Sequence, residues 1–288
     1  MKSIYSVLTG MITGLRMLKF GSFFGTIVLL LAQYACFEPQ SGCLDIAATN
    51  FNAAADKNCC CRYPNLVITV DQVYDTLVFR QDYLYPGTGG HLFRIKSLAF
   101  YLSEFTLLKN GVPFYMGDTV QLKIYDVAGN DTLVQPFVDD VALVRRTPLE
   151  YPIATFGEDG FFETITFRLG LSSAMGQAIP TLAPASHPLR PQPDNLYNNG
   201  YTFLQAVVVR DTMAATLPDT IRFTRADLGD FFIEGNDHFE HKLGYNFPIK
   251  LRADWSVLFQ GVIWTNHDIQ AWKTQMVSNF PGVFRVSM

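Results

Sequence analysis

Short runs in which apolar and polar side chains alternate, separated by turn residues and not by helices, set what this chain can become. Ile165, Phe167, Leu169 and Leu171 alternate with Thr164, Thr166, Arg168 and Gly170; Val120, Leu122 and Ile124 alternate with Gln121, Lys123 and Tyr125; Ile249 and Leu251 alternate with Lys250 and Arg252. A period of two turns one face of a strand to a core and the other to water. Further strands are expected over residues 66–70, 76–80, 92–108, 201–210 and 220–224. Between them Pro86-Gly87-Thr88-Gly89-Gly90, Asn110-Gly111, Gly129-Asn130-Asp131 and Asn198-Asn199-Gly200 supply residues that tolerate positive φ. Parallel sheets need helical crossovers, which this pattern lacks, so the expected fold is all-β: an antiparallel β-sandwich, Ig-like or jelly-roll-like. The 24 Phe and 13 Tyr suit half-buried pleated surfaces, and 288 residues suffice for one large β core.

Two segments break the alternation. Residues 174–199 hold five prolines and little periodic signal, the mark of a functional or poorly ordered loop. Near the end Asn266 is placed to cap a short helix through Asn279, with Ile269, Trp272 and Met276 on the side that closes the sandwich.

The start of the chain speaks to location. Met17-Leu18-Lys19 precedes an apolar run from Phe20 to Ala32, a short basic n-region and an h-region of signal-peptide length. Residues 1–35 are therefore expected to leave the fold, with Met11 or Met17 as alternative start sites; the competing reading, a retained anchor, needs a longer run of ~20 apolar residues. Ala35-Cys36 matches the end of a bacterial lipoprotein signal, which makes Cys36 the candidate lipid carrier. Gln33 and Tyr34 depart from the usual lipobox, so cleavage to a soluble product stays open. The expected organisation is 1–35 signal, 36–64 Cys-rich segment and 65–288 sandwich domain. The membrane would be a partner only through an acylated Cys36.

Cys43, Cys59, Cys60 and Cys61 fall in that segment, and an even number in an exported protein reads as a disulfide framework. Adjacent cysteines pair with one another only in a strained ring. The scheme favoured here joins Cys43 to the triplet and leaves a second pair within or beside it, with connectivity open. A thiolate metal cluster is the alternative, but it lacks the two-residue gap of tetrahedral sites.

A formal net charge of −4 with no basic stripe argues against nucleic acid as a partner. The sequence contains no nucleophile elbow, no phosphate-cradling loop before a helix and no His-Glu-x-x-His, and the chain is not expected to be an enzyme. The pairs Asp139-Asp140 and Glu158-Asp159 read as solvated turn residues. One cluster stands out, Phe231 to Gly244, with His238 and His241 among acids. If that segment turned helically the two imidazoles would face one way and could share copper or zinc; otherwise they are surface histidines. His91 and His267 are further candidates for the same site.

Gly42 to Asn52, closing on Cys61-Arg62-Tyr63-Pro64, resembles a Cys-bounded module of secreted Bacteroidetes proteins, with Ile46 and Phe51 standing where Pro and Tyr are usual. From about Pro64 onward the chain resembles the MbnP-like domain family. Residues 93–107, the strand 160–171 with Phe167-Arg168-Leu169-Gly170, the Gly200-Tyr201 strand and His241-Lys242-Leu243-Gly244 carry the resemblance, in the family's order. It implies a β-sandwich outside the cytoplasm, in the periplasm or at the outer membrane of a Gram-negative bacterium. It also implies copper as cofactor and an envelope redox or transport protein as partner. Where the family carries Trp just before Gly-Tyr, this chain has Asn195-Leu196-Tyr197-Asn198-Asn199, and its own Trp255, Trp264 and Trp272 read as packing residues. Three function classes follow, the third and least favoured being a hydrolase, which requires an acid pair or nucleophile buried in a cleft. A copper-binding envelope protein requires clustered imidazoles, whereas a surface lipoprotein that docks another protein without metal requires an exposed aromatic patch, for which the Pro-rich loop is the expected host.

Overall fold

The computed structural model describes residues 38–126, 129, 131–191, 196–213 and 215–288. The expected signal segment 1–35 and the lipidation candidate Cys36 lie outside the described residues, as do Asn130 of one expected turn and Asn195. The chain divides into two units, Met1–Leu44 with Asn52–Cys60, and Asp45–Phe51 with Cys61–Met288.

In the smaller unit β1 (Ser41–Gly42) and β2 (Lys57–Asn58) pair in parallel. The Cys59 N–H donates to Gly42 O at 2.9 Å and the Leu44 N–H to Asn58 Oδ1 at 3.0 Å. Cys43 and Cys61 are disulfide-bonded, which joins Cys43 to the triplet, and Cys59 and Cys60 carry thiols.

The larger unit opens with β3 (Asn65–Tyr74), β4 (Leu77–Val78) and β5 (Leu84–Pro86), then β6 (Leu92–Lys109), 18 residues long, and β7 (Val112–Tyr115). The turn between the last two is Asn110-Gly111, both at positive φ (53° and 74°), the conformation that a two-residue hairpin demands. Next come β8 (Thr119–Tyr125), β9 (Thr132–Val138), β10 (Ala142–Val144), β11 (Glu150–Thr155), β12 (Gly160–Phe162) and β13 (Thr164–Leu169). The chain ends with β14 (Leu204–Val209), β15 (Asp219–Phe223), β16 (Phe232–Gly235), β17 (Phe239–His241), β18 (Phe247–Asp254) and β19 (Phe284–Ser287).

One sheet runs β15-β14-β6-β13-β16 with β5, β7 and β10 also on β6; the other runs β11-β3-β18-β19 with β4 on β3. Their apolar faces share a core in which Leu66, Ile68, Ile249 and Leu251 of the second sheet meet Phe100, Phe167, Leu204 and Ala206 of the first. This is the sandwich that the alternation implied. It departs from a wholly antiparallel one at β3 and β18, which run parallel with Ile68 opposite Ile249. The crossover that parallel pairing needs is the rest of the domain, including the whole first sheet.

The middle of β6 is buried on both faces: Phe100 belongs to the sandwich core, while Ala99 and Tyr101 join a second core with Leu122, Phe137, Met175 and Leu189. Here the Pro-rich loop differs from expectation. Its described part lies over the outer face of the sheet, held by hydrogen bonds from Tyr101 Oη to Pro188 O (3.3 Å) and Tyr201 Oη to Ala178 O (3.2 Å). Met175, Ala178, Ala183, Leu189 and Leu196 are buried, and among its described residues the exposed aromatic side chain is Tyr197 alone, too little for a patch.

Among the described residues the α-helices are α1 (Arg225–Leu228), α2 (Trp255–Leu258) and α3 (Ile269–Val283). Asp268, not Asn266, caps α3, its carboxylate accepting the Ala271 N–H at 3.0 Å; an anion is also the better group at the positive end of a helix. The helix runs on to Val283 through Pro281, because Trp272, Met276, Phe280 and Val283 form one buried stripe whose packing outweighs the lost backbone hydrogen bond. Trp255, Trp264 and Trp272 are all buried, the first donating Nε1–H to Gln72 Oε1 (3.2 Å) and the last to Ile263 O (2.8 Å). Glycine is required at 170, where φ is +113° and a Cβ would come within 2.1 Å of the Phe203 ring. Among the described residues no helix is long and apolar enough to cross a membrane.

Candidate functional site

The histidines do not converge. The segment around His238 and His241 is not helical: β16 ends at Gly235 and β17 begins at Phe239, where it pairs antiparallel with β12. Strand geometry turns Phe239 and His241 into the protein, while His238 is exposed. His241 is buried between the rings of Phe247 (5.0 Å) and Phe156 (5.1 Å). Its Nδ1 is hydrogen-bonded to the carbonyl of Glu158 and its Nε2 to that of Tyr245 at 2.6 Å. Carbonyl oxygens only accept, so a neutral imidazole donates to one of them while its other nitrogen faces the second; the fold covers both nitrogens and leaves neither open to a metal.

His91 and His267 lie elsewhere. His91 precedes β6 and contacts Arg210 O at 2.5 Å; His241 lies beside the far end of that strand, opposite Gly160, whose Cβ position is 3.4 Å from Lys109. His267 meets Asp219 at 2.9 Å and His187 meets Asp139 at 3.2 Å. Among the described residues no group of three or more His, Cys, Asp and Glu side chains is arranged to hold a metal ion. The donor set that copper would need is not assembled at His238 and His241.

A cleft on the outer face of the first sheet has the features of a site. Thr166 of β13 faces Thr106 of β6, but Arg168 faces Ser103, so Glu104 and Phe105 together oppose Phe167 in a β-bulge. Glu104 sits at φ +55°, a left-handed conformation that costs a non-glycine residue roughly 1–2 kcal/mol. The bulge frees ladder groups, and Asp140 takes one, its Oδ2 accepting the Phe105 N–H at 2.9 Å. Beside it Ser103 Oγ donates to Gly170 O at 2.9 Å.

Asp140 is 5% exposed, which corrects its reading as a solvated turn residue. Glu158 and Asp159 are exposed, as that reading has them. Burial pushes the Asp140 carboxyl up to about 6; the backbone N–H groups of Phe105 and Glu104 oppose the rise and the Glu104 carboxylate adds to it. Arg168 spans the floor, its Nε paired with Glu104 and its Nη1 with Asp230, and its guanidinium lies 4.6 Å from the centre of the Phe232 ring. The Arg168 guanidinium holds the Asp230 carboxyl below its ordinary value.

Around this floor the cleft encloses about 660 Å³, within the range of ligand pockets. Its walls include Tyr115, Phe137, Val138, Met175 and Phe232. Tyr115 (76% exposed), Val138 (53%) and Phe232 (46%) present apolar surface to solvent. Arg168 is matched by Glu104, so an ionised Asp140 leaves the floor with a surplus negative charge.

Sequence reasoning missed these residues, though signals were present. Glu104 is the one acid inside the expected strand 92–108, and Asp140 directly precedes the apolar run Val141-Ala142-Leu143-Val144. A charge in either place requires a partner or a bulge.

No family model matches the chain, and no curated protein matches it. Among solved structures it is similar to MbnP from Methylosinus trichosporium, at 14% identity over 67% of this chain and 76% of that chain, with a TM-score of 0.40. A likeness of that size transfers no residue and no ligand.

Proposed function

We propose that this chain is an exported, non-enzymatic binding module of the cell envelope, which docks a partner protein through the cleft at the β6 bulge. The observation that carries the reading is the pairing of exposed aromatic walls with a buried floor carboxyl that burial pushes up to about 6. Such a cleft suits an apolar side chain ending in a cation, as a Lys or Arg beside an aliphatic stretch of an envelope protein supplies. Export through residues 1–35, and a lipid anchor where Cys36 is acylated, belong to the same proposal.

Hexylamine and hexanoate, matched in length and opposite in charge, test it by calorimetric titration at pH 7. The amine is expected to bind at roughly millimolar Kd, as befits a ligand of few atoms, and the acid to bind far more weakly. Tyr115→Ala should weaken the amine several-fold. Equal affinity for both, or an amine isotherm unchanged in Tyr115→Ala, would remove the cleft from the account.

Copper is the cofactor the family resemblance implies, and its titration separates the copper-binding class from the docking one. Stoichiometric copper lost in a His238→Ala, His241→Ala double variant would favour the metal protein, and would require one ring nitrogen of His241 to leave its carbonyl contact. The engaged nitrogens of His241 and the exposure of His238 support the reading without metal at that pair.

A further inference from the structure

Cys59 and Cys60 lie in the smaller unit. The Cys43–Cys61 bridge uses the other two cysteines of the segment, and the sulfurs of Cys59 and Cys60 stand 2.7 Å apart. That is inside the ordinary contact distance of two sulfurs and longer than the about 2.05 Å of a disulfide, so the two thiols abut without being bonded. The backbone holds the pair in place: the Cys59 N–H is fixed to Gly42 O where β1 and β2 end, and Cys60 turns at φ +59°, which brings its side chain back beside that of its neighbour. Cys60 is exposed and Cys59 half-exposed, so a small reagent reaches both. Hydrogen bonding with Cys60 pushes the Cys59 thiol above its ordinary value.

We propose that Cys59 and Cys60 form a vicinal dithiol site that reduces low-molecular-weight disulfides and closes into a disulfide ring through the peptide between them. The Cys60 thiolate attacks one sulfur of the disulfide, forming a mixed disulfide and releasing one thiolate. The Cys59 sulfur then attacks Cys60, breaks the mixed disulfide and releases the second thiolate. The two protons from the cysteines end on the two released thiols, and the two electrons move from the cysteine pair to the substrate disulfide. The exposed member is the attacking sulfur; the member with the raised thiol resolves. An exported chain meets the disulfide-rich conditions in which the closed form persists.

Oxidised glutathione is the probe. The full exported chain, mildly reduced so that Cys43–Cys61 stays closed, is expected to release two equivalents of glutathione per chain, to retain no adduct and to lose both alkylatable thiols. Cys59→Ser should stop midway, with one glutathione held on Cys60, and should leave Cys43 and Cys61 unavailable to alkylation. Cys60→Ser should react at least several-fold more slowly. A stable adduct on the unmodified chain, or alkylation at Cys43 or Cys61 in the Cys59→Ser variant, would overturn the assignment. The first outcome would mean the ring does not close, and the second that Cys59 and Cys60 bridge to the other pair.

Discussion

At the β12–β17 end of the larger unit His241 is enclosed, with both ring nitrogens turned to carbonyls of its own unit and a phenylalanine on either side. At the β6 bulge Asp140 is equally buried, yet it opens onto a cleft with exposed Tyr115 and Phe232 and shares its floor with Arg168 and Glu104. Both regions bury a titratable side chain. In the first, the fold covers both ring nitrogens and both ring faces and leaves no opening to solvent; in the second, a strained residue, a carboxyl shifted to about 6 and uncovered aromatic surface coincide. Polar groups without full internal compensation are where a ligand gains most, because it supplies what the fold withholds.

This contrast breaks first at His241. Its replacement by Ala would remove a buried ring from between Phe156 and Phe247 and strand two carbonyls, at a cost of about 4 kcal/mol. A urea melt is expected to record that loss with hexylamine binding unchanged in the surviving folded fraction. A melt within 1 kcal/mol of the unmodified chain would place His241 outside the structural class.

Asp140→Asn gives the next largest effect, and its sign is specific. The carboxyl is raised in the folded state, so between about pH 4 and pH 6 the folded chain holds a proton that the unfolded chain has released. Stability from this group is present at low pH and falls as pH rises through that window, by at most about 3 kcal/mol. Asn keeps an oxygen for the Phe105 N–H and cannot ionise. Urea midpoints at pH 4 and pH 7 should therefore show the variant gaining on the unmodified chain at the higher pH. Asp230, lowered by Arg168, contributes with the opposite sign but is present in both proteins and cancels in the difference. Parallel pH profiles would show that Asp140 is not buried as described.

The smallest effect on stability is expected at the cleft wall. Tyr115 is 76% exposed, so Tyr115→Ala should shift the melt by less than about 0.5 kcal/mol while weakening the amine. A large stability loss would mean that the wall is part of the core.

Much of this architecture is legible in period-two alternation, because burial of one face is a local property of a strand. Phe167 and Leu169 announce an inward face, and Asn110-Gly111 announces its hairpin. What alternation cannot report is which strands meet at a distance. The parallel pairing of β3 with β18 and the second core over Ala99 and Tyr101 depend on contacts far apart in sequence. The same limit explains the site. His238 and His241 are three apart in sequence, and a helical turn would unite them; instead His238 precedes β17 and is exposed, while His241 points inward from the strand. Asp140, Glu104 and Arg168 are separated in sequence by whole strands and meet only because β6 bulges opposite β13. Asp268 displaced Asn266 as the cap because the helix begins at Ile269, which puts Asp268 at its N-cap with its carboxylate on the Ala271 N–H.

The central claim is that the buried carboxyl at the β6 bulge makes the cleft a cation site, and the affinity of hexylamine at pH 5 and pH 7 tests it most directly. Ionisation of a group titrating near 6 predicts that the amine binds about five- to tenfold more tightly at pH 7 in the unmodified chain, with no such rise in Asp140→Asn. Equal affinity at the two pH values, or the same rise in the variant, would contradict the account.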